Sequence, residues 1–263
     1  MILNNVITNI CVCVCFYNTN AIYLQECFDS IDLAKSYFEK QYPHIPVNVH
    51  VMNDGSNASD TINMFEYIVN SKYTYIKWWH HEKNTTLASA INDLHMYTPS
   101  DALVIYIDSD DIMIYNRIVV QYHIMTQYAQ WRNITLNATL TNTPVYRTSN
   151  NYAFLKYYNY DILTTPEDLS KNIILHNTIA YKINHLHQLN IWYDSQFKCT
   201  QDYDFYLNLL KHNCQILLTP DALTWYRQYE DAEKADPKRN YSKEFLKLQK
   251  KYNNHSLWDN IFK

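Results

Sequence analysis

The spacing of apolar and polar residues changes regularly along the first half of this chain. Apolar runs typical of strands occupy residues 7–16, 47–52, 73–79 and 102–107. Between them, apolar residues recur with helical spacing at 21–41, 60–70 and 87–96. Strands that alternate with helices predict an α/β fold with a mostly parallel central sheet covered by helices on both faces.

Beyond residue 111 the alternation becomes irregular. The pattern there predicts helices at 115–127, 166–170, 202–212 and 242–252, and strands within 133–158, at 173–183 and at 215–218. We therefore predict one fused domain built of a first half (1–114), a second half (115–230) and a C-terminal helical tail (231–263).

The tetrad Asp108-Ser109-Asp110-Asp111 directly follows the predicted strand at 102–107. Carboxylates this close together repel one another unless a cation lies between them. Such hard oxygen ligands suit Mg²⁺ or Mn²⁺, which in turn suit phosphate oxygens. An acidic turn exposed to solvent is the alternative, since aspartate is common in turns. The tetrad alone leaves both interpretations open.

Composition narrows the class of protein. The chain has 263 residues, of which 47% are hydrophobic, and its net charge of -4 gives no reason to expect nucleic-acid binding. Heavy use of Asn, Ile, Tyr and Lys fits a low-GC genome, such as that of a large DNA virus. No signal peptide or membrane span is evident. We therefore expect a cytoplasmic protein, in the host cytoplasm if the genome is viral.

The positions of the cysteines also fit a cytoplasmic protein. Cys11, Cys13 and Cys15 alternate with valines, which places all three on one face of a strand. A thiolate metal site would need ligands that converge on one ion. We predict a buried core strand and a reduced compartment instead.

Polar residues follow three of the predicted strands. Tyr17 follows the first strand, Asp54 the second, and Asp108 and Asp110 the fourth. In a parallel sheet these strand ends open onto one edge, where ligands bind. An aromatic ring, a carboxylate and a pair of metal-binding acids together describe a nucleotide-diphosphate site.

At this point the sequence resembles the family 2 glycosyltransferases with the GT-A fold. The resemblance runs from Ile7 to Arg227 and rests on motifs that occur in the family's order and spacing. They are Cys13-Val14-Cys15-Phe16-Tyr17-Asn18, Val51-Met52-Asn53-Asp54-Gly55-Ser56, His81-Glu82-Lys83-Asn84-Thr85-Thr86-Leu87-Ala88, Ile107-Asp108-Ser109-Asp110-Asp111 and Thr200-Gln201-Asp202-Tyr203-Asp204.

The resemblance implies a donor site in the first half of the chain. Tyr17 matches the aromatic residue beside the donor base, and Asp54 matches the acid that pairs with the base, often uracil. Asn84 matches a position near the base, and Asp93 lies on the helix behind it. Asp108 is expected near the ribose. The implied donor is a nucleotide sugar, with UDP as the expected nucleotide.

The resemblance also implies the chemistry. Asp108 and Asp110 match the DxD pair that holds Mn²⁺ or Mg²⁺, with Asp110 as the principal ligand. Asp202 matches the general base of an inverting transfer, which activates a hydroxyl of a glycan or glycoconjugate acceptor. This would make 115–230 the acceptor-binding and catalytic-base half.

Several positions depart from the family pattern. Asn53 replaces an acid, Thr86 a glycine and Gln201 a glutamate. Gln228 and Tyr229 stand where many members carry a metal-binding histidine, so the third protein ligand stays open. A catalytically inactive sugar-nucleotide or glycan-binding relative is one alternative. A nucleotidyltransferase is another, although such enzymes usually need a glycine-rich phosphate loop and this chain has one glycine.

Four further features carry weaker predictions. Residues 78–81 (Trp-Trp-His-His) are interpreted as core and edge residues. His176 is either near an acceptor pocket or a core histidine. The tyrosine-rich stretch at 133–158 is a candidate acceptor wall. The basic helix at 242–251 either contacts a membrane or partner, or covers the domain as a solvated lid.

Overall fold

The computed structural model of the protein describes residues 7–132, 136–147, 152–156, 161–169, 176–228 and 241–252. The first half forms β1 (Asn9–Phe16), α1 (Ala21–Gln41), β2 (Val47–Asn53), α2 (Ser59–Tyr67), β3 (Lys77–His80), α3 (Leu87–Tyr97) and β4 (Ala102–Asp108). It is followed by β5 (Ile112–Met113), α4 (Arg117–His123), α5 (Ala129–Arg132), β6 (Ala138–Arg147), β7 (Tyr152–Lys156), β8 (Asp161–Leu163) and α6 (Pro166–Leu169). The last elements are β9 (Ala180–Lys182), α7 (Ile183–Leu189), α8 (Gln201–Lys211), β10 (Ile216–Ala222), β11 (Thr224–Gln228) and α9 (Tyr241–Tyr252).

The central sheet brings three strand ends to one level. Its strand order is β3-β2-β1-β4-β9-β6-β10-β8, and β3, β2, β1 and β4 run parallel. Phe16 of β1 is opposite Asn53 of β2, and Cys15 is opposite Asp108 of β4. The loops that follow these three strands therefore share one edge of the sheet, as predicted. β9 pairs antiparallel with both β4 and β6, which joins the second half to the same sheet.

The two faces of β1 pack against different helices. Cys11, Cys13 and Cys15 are buried together with residues of α3 and α8. Val12 and Val14 are buried on the other face together with residues of α1 and α4. These three cysteines are free thiols that are buried within β1. The predicted core strand is therefore confirmed.

The third strand is shorter than predicted. The pattern put it at 73–79, but residues 73–76 lie outside the sheet. α2 continues as a π-helical turn at Ile68–Lys72. The hydroxyls of Tyr73 and Tyr75 then donate hydrogen bonds to two aspartates of α1, at 2.9 and 2.8 Å. These side-chain bonds hold the segment against α1, which the strand-like pattern could not reveal.

The strand predicted at 173–183 is wrong at most of its described residues, 176–183. Residues 173–175 lie outside the described part of the chain, His176–Thr178 form a 3₁₀ turn, and α7 begins at Ile183. Only the three residues of β9 are extended. An apolar run shows burial but does not separate a strand from other buried segments. Within 133–158, the described strands β6 and β7 agree with the predicted β-rich stretch. Residues 136–137 precede β6 outside any strand, and the other residues lie outside the described ranges.

Candidate active site

A cavity of about 840 Å³ opens at the edge where β1, β2 and β4 end. Among its lining residues are six of the side chains predicted from sequence: Tyr17, Asp54, Asn84, Asp108, Asp110 and Asp202. The seventh, Asp93, does not line the cavity and contacts it through a neighbour. The fold thus brings together residues that lie as far apart in the sequence as Tyr17 and Asp202.

Asp54 lies at the centre of a dense hydrogen-bond network. Its carboxylate is only 4% exposed. Oδ1 accepts from the backbone N–H of Thr85 at 3.0 Å and from its hydroxyl at 2.8 Å. Oδ2 accepts from Nδ2 of Asn84 at 2.9 Å. The acid therefore fixes the loop after β3, and it also lines the cavity.

His81 connects Asp54 to Asp93, a link that the sequence interpretation missed. Its Nδ1 lies 2.7 Å from Oδ1 of Asp54, and its Nε2 lies 2.9 Å from Oδ2 of Asp93. Burial by itself would lower the pKa of His81, but the hydrogen bonds and charges of the two carboxylates outweigh it and raise the pKa above its ordinary value. Only the protonated ring can donate to both acids at once. The interpretation of residues 78–81 as core and edge residues is therefore wrong for His81.

The chain's one glycine packs this loop pair together. Gly55 has a φ of 73°, in the left-handed region. A Cβ atom placed there would come within 2.3 Å of the backbone carbon of Lys83 and 2.4 Å of the nitrogen of Asn84. The loop after β2 can approach the loop after β3 because this residue has no side chain.

The loop after β1 is tied to the same structure. Asn18, with a φ of 49°, accepts from the backbone N–H groups of Asn57 and Ala58 at 2.8 and 2.9 Å. Its own backbone N–H donates to the hydroxyl of Ser56 at 3.0 Å. These bonds leave the neighbouring Tyr17 46% exposed at the cavity. An open aromatic face is what stacking on a planar ring requires.

The acidic tetrad divides into two roles. Asp108 and Asp110 line the cavity, whereas Asp111 is fully buried and turns away from it. Asp111 accepts from the backbone N–H of Arg227 at 2.8 Å and from the side-chain amide of Asn177. It therefore joins β11 to the end of β4.

The surroundings of Asp108 disfavour its ionised form. Burial, followed by the negative charge of Asp110, raises its pKa to about 7, although the hydroxyl of Tyr106 donates to it at 3.1 Å. A half-buried like-charge pair of this kind is stabilised by a cation.

The two carboxylates meet the requirements of a divalent ion only in part. No group of three or more His, Cys, Asp or Glu side chains converges among the described residues. Asp108 and Asp110 are hard oxygen ligands, and Mg²⁺ sites commonly use one or two carboxylates with substrate phosphates and water. The residues present therefore fit an ion whose coordination is completed by a phosphate-bearing ligand.

Arg117 lies beneath this edge and was not predicted. Its guanidinium is fully buried and donates to the backbone carbonyls of Tyr106 and Asn177, at 2.7 and 2.8 Å. Burial lowers its pKa to about 9, and nearby acids, first Asp111 and then Asp108, act in the opposite direction. This buried charge offsets part of the repulsion in the tetrad.

Asp202 also lines the cavity. It is in the first turn of α8, and its Oδ1 accepts from the backbone N–H of Tyr203 at 2.9 Å. Burial raises its pKa to about 6 despite that hydrogen bond. A carboxylate with such a pKa is mostly ionised at neutral pH and accepts a proton readily.

His176 is a core histidine that also lines the cavity, and a role near an acceptor pocket stays a prediction. It is buried, and it lines the cavity. Its Nε2 lies 2.8 Å from the hydroxyl of Tyr193, while Nδ1 has no hydrogen-bond partner among the described residues. Burial lowers its pKa to about 3, so the ring is neutral.

Helix α9 covers one wall of the cavity. Phe245 and Leu248 are buried in the core cluster that contains α8, and Tyr241 lines the cavity together with Phe245. The apolar face of this helix thus packs on the domain, as the lid alternative predicts. Among the described residues, no helix combines the length and apolar composition that a membrane span needs.

Comparisons with solved structures support the fold. S. aureus TarS (residues 1–349) in complex with UDP-GlcNAc matches with a TM-score of 0.64 and 16% identity, over 84% of this chain and 59% of that one. GalNAc-T7 with UDP, GalNAc and Mn²⁺ matches with a TM-score of 0.60 and 12% identity, over 86% of this chain and 44% of that one. These neighbours have the GT-A fold, which confirms the predicted fold class.

The similarity to known proteins is limited to the fold and to part of the matched chains. This chain spans about three fifths of the TarS fragment. No family model matches the sequence, and no curated protein is significantly similar to it. The likeness therefore shows the fold, and the activity has to be argued from the site.

Proposed function

We propose that this chain is an inverting, divalent-metal-dependent glycosyltransferase that moves a sugar from a UDP-sugar to a hydroxyl of a glycan or glycoconjugate. One observation carries the proposal: strand-end acids and a helix acid line the same cavity in a GT-A fold. The bound UDP-GlcNAc in TarS, and the UDP and Mn²⁺ in GalNAc-T7, support the choice of donor and ion.

In this proposal the loops after β1, β2 and β3 bind the nucleotide. Tyr17 stacks on the base, and Asp54 and Asn84 contact the base edge. Asp93 acts through His81, which orients Asp54 from the side away from the cavity. Asp108 contacts the ribose and shares the divalent ion with Asp110.

The acid pair accounts for the proposed metal dependence. A divalent ion held by Asp108 and Asp110 would neutralise the negative charge that grows on the departing nucleoside diphosphate. Without a cation, the two carboxylates would repel both each other and the diphosphate. The ion would then be bound together with the donor and not before it.

Asp202 accounts for the proposed stereochemistry. As a carboxylate it takes the proton of the acceptor hydroxyl while that oxygen bonds to the anomeric carbon and the bond to the diphosphate breaks. In the proposal the acceptor attacks the face of the sugar opposite the diphosphate, so attack and departure take place on opposite faces of the sugar. A single displacement of this kind inverts the anomeric configuration.

A thermal-shift panel of sugar nucleotides with and without Mn²⁺ tests the proposal. A UDP-sugar at about 100 times its Kd should stabilise the protein by about 2.7 kcal/mol, and therefore raise Tm by roughly 5–10 °C, only when Mn²⁺ is present. No shift with any sugar nucleotide would contradict it. Release of UDP during turnover would support transfer, release of pyrophosphate would indicate a nucleotidyltransferase, and binding without turnover would indicate an inactive relative.

A further inference from the structure

Glu244 makes an unusual set of contacts from α9. Its carboxylate is 7% exposed, and its partners are the donors of one short loop. It accepts from the backbone N–H groups of Lys198, Cys199 and Thr200 at 2.9 to 3.1 Å, and from the hydroxyl of Thr200 at 3.1 Å. One side chain thus collects the polar groups of a loop that also lines the cavity.

This loop leads directly into the helix that carries Asp202. Thr200 is the N-cap residue of α8, yet its side chain makes no capping hydrogen bond to that helix. Its hydroxyl donates to Glu244 instead, so the start of α8 is fixed from outside. Because Asp202 follows two residues later, the position of its carboxylate depends on the loop that Glu244 holds.

Helices α8 and α9 make a second contact one turn further along α8, at Asp204. The ammonium group of Lys251 lies 2.6 Å from Oδ1 of Asp204, and the hydroxyl of Tyr252 donates to the same oxygen at 3.0 Å. These residues and the buried apolar face of α9 dock the helix. Docking therefore does not require Glu244, whose contacts are all directed at the loop.

The charge of Glu244 also reaches Asp202. Burial raises the pKa of Glu244, but the hydrogen bonds that it accepts outweigh this and hold the pKa below its ordinary value, so it is ionised at neutral pH. Its negative charge adds to burial in raising the pKa of Asp202. The other groups that face Asp202 electrostatically are Asp108 at the end of β4 and Tyr193 in the segment before α8.

We propose that Glu244 is a positioning residue for the reaction, holding the 198–200 loop so that the carboxylate of Asp202 points at the acceptor hydroxyl. This inference rests on the proposed function, in which Asp202 is the general base. It gives α9 a role in positioning the general base, through the side chain of Glu244 alone. The helix then does more than cover the domain.

The test compares Glu244→Ala and Glu244→Gln with the control Leu246→Ala, which alters a 58% exposed residue of the same helix. Three quantities are measured in the full chain. They are the hydrogen–deuterium exchange of amides 198–202, the KM for UDP-GlcNAc with Mn²⁺, and the rate of UDP release to water. Water serves as the acceptor because the natural one is not identified.

Glu244→Ala should speed exchange at 198–202 and lower kcat by about 10- to 100-fold, because small misplacements of a reacting group are costly. KM for the donor should stay within about twofold, since the acid pair is untouched. Glu244→Gln keeps one oxygen that can accept from the loop, so its kcat should fall less, by about 3- to 10-fold. If the alanine variant does not fold, Glu244→Gln alone is compared with wild type. Leu246→Ala should change none of these quantities.

Three results would overturn the inference: unchanged exchange at 198–202 in both variants, a kcat equal to that of wild type despite faster exchange, or a parallel loss of kcat and donor affinity. The last result would indicate general damage to the fold. Wild-type protein that binds no sugar nucleotide and releases no UDP would instead overturn the proposed function. The exchange of these amides would still decide whether Glu244 holds the loop.

Discussion

The two sides of the cavity are built in different ways. On the donor side, Tyr17, Asp54 and Asp108 follow strands that lie side by side in the sheet, so the strand register itself aligns them. On the base side, Asp202 sits on a helix whose start is held by Glu244, 44 residues beyond Thr200. The donor side is thus set by local strand–loop units, and the base side by contacts between distant parts of the chain.

This difference predicts separate effects on the binding of the sugar nucleotide and on the rate of transfer. If the proposed function is correct, changes on the donor side should alter how tightly the sugar nucleotide binds. Changes on the base side should alter the rate of transfer and leave donor binding intact. Each experiment that follows tests one side against the other.

The largest expected effect is on the base side. Asp202→Asn removes the proton acceptor while keeping its shape, so transfer should fall by roughly 10²–10⁴-fold. Stabilisation by a UDP-sugar with Mn²⁺ should persist, because Asp108 and Asp110 are unchanged. UDP release and thermal shift measure the two quantities.

The matched control for Asp202 is Asp60→Asn, the same chemical change at an exposed site on α2. It should affect neither rate nor binding. Transfer at the wild-type rate in Asp202→Asn would remove Asp202 from the role of base.

The reverse result is expected for the acid pair. Asp110→Asn should remove most of the Mn²⁺-dependent part of the donor-induced shift in Tm. Loss of a direct carboxylate ligand should weaken binding by more than the roughly 10- to 100-fold typical of outer partners of a metal. Asp101→Asn, just before the opposite end of β4, is the control. An unchanged Mn²⁺ requirement in Asp110→Asn would place the ion elsewhere.

The same contrast explains what could be predicted from the sequence. Asp54, Asp108 and Asp110 were found because a strand followed by a turn is a local pattern, and parallel strands bring their carboxyl ends to one edge. The sequence did not show that Asp111 has a different role from Asp108 and Asp110. Asp111 is set apart by contacts with Asn177 and Arg227, which are distant in sequence.

The missed residues depend on how distant segments fold back. His81 was interpreted together with residues 78–80 as a core or edge residue, on the basis of strand alternation, but the loop after β3 turns it towards Asp54. Glu244 looked like one more charge on a basic helix, and nothing near it in sequence indicates the 198–200 loop. Arg117 is preceded by no local signal for a buried charge. Helical and strand periodicity cannot supply these contacts.

A smaller effect on the donor side is expected from Gly55→Ala. The new Cβ atom would collide with the backbone at Lys83 and Asn84, and alanine is strained at a positive φ. We expect a loss of roughly 1–3 kcal/mol in the free energy of unfolding and weaker UDP-sugar binding, with kcat at saturating donor less affected. Denaturant unfolding and donor titration measure these changes.

Gly55→Asn separates the two causes. Asparagine tolerates positive φ, as Asn18, Asn190 and Asn213 do in this chain, but it still carries a Cβ atom. It should be nearly as damaging as alanine if close approach of the two loops is what matters. Full stability and binding in Gly55→Asn would show that backbone strain alone explains the glycine.

The smallest expected effect concerns His81, and it depends on pH. A folded-state pKa above the unfolded value gives stability that is fully present below the unfolded pKa, about 6.5, and is lost as pH rises through the folded pKa. Wild type should therefore exceed His81→Gln in free energy of unfolding by about 0.5–1 kcal/mol near pH 6, and by less near pH 9. The exposed neighbour His80→Gln is the control, and urea unfolding at both pH values measures the difference. A gap between wild type and His81→Gln that is the same at both pH values would mean that the ring bridges Asp54 and Asp93 as a neutral group.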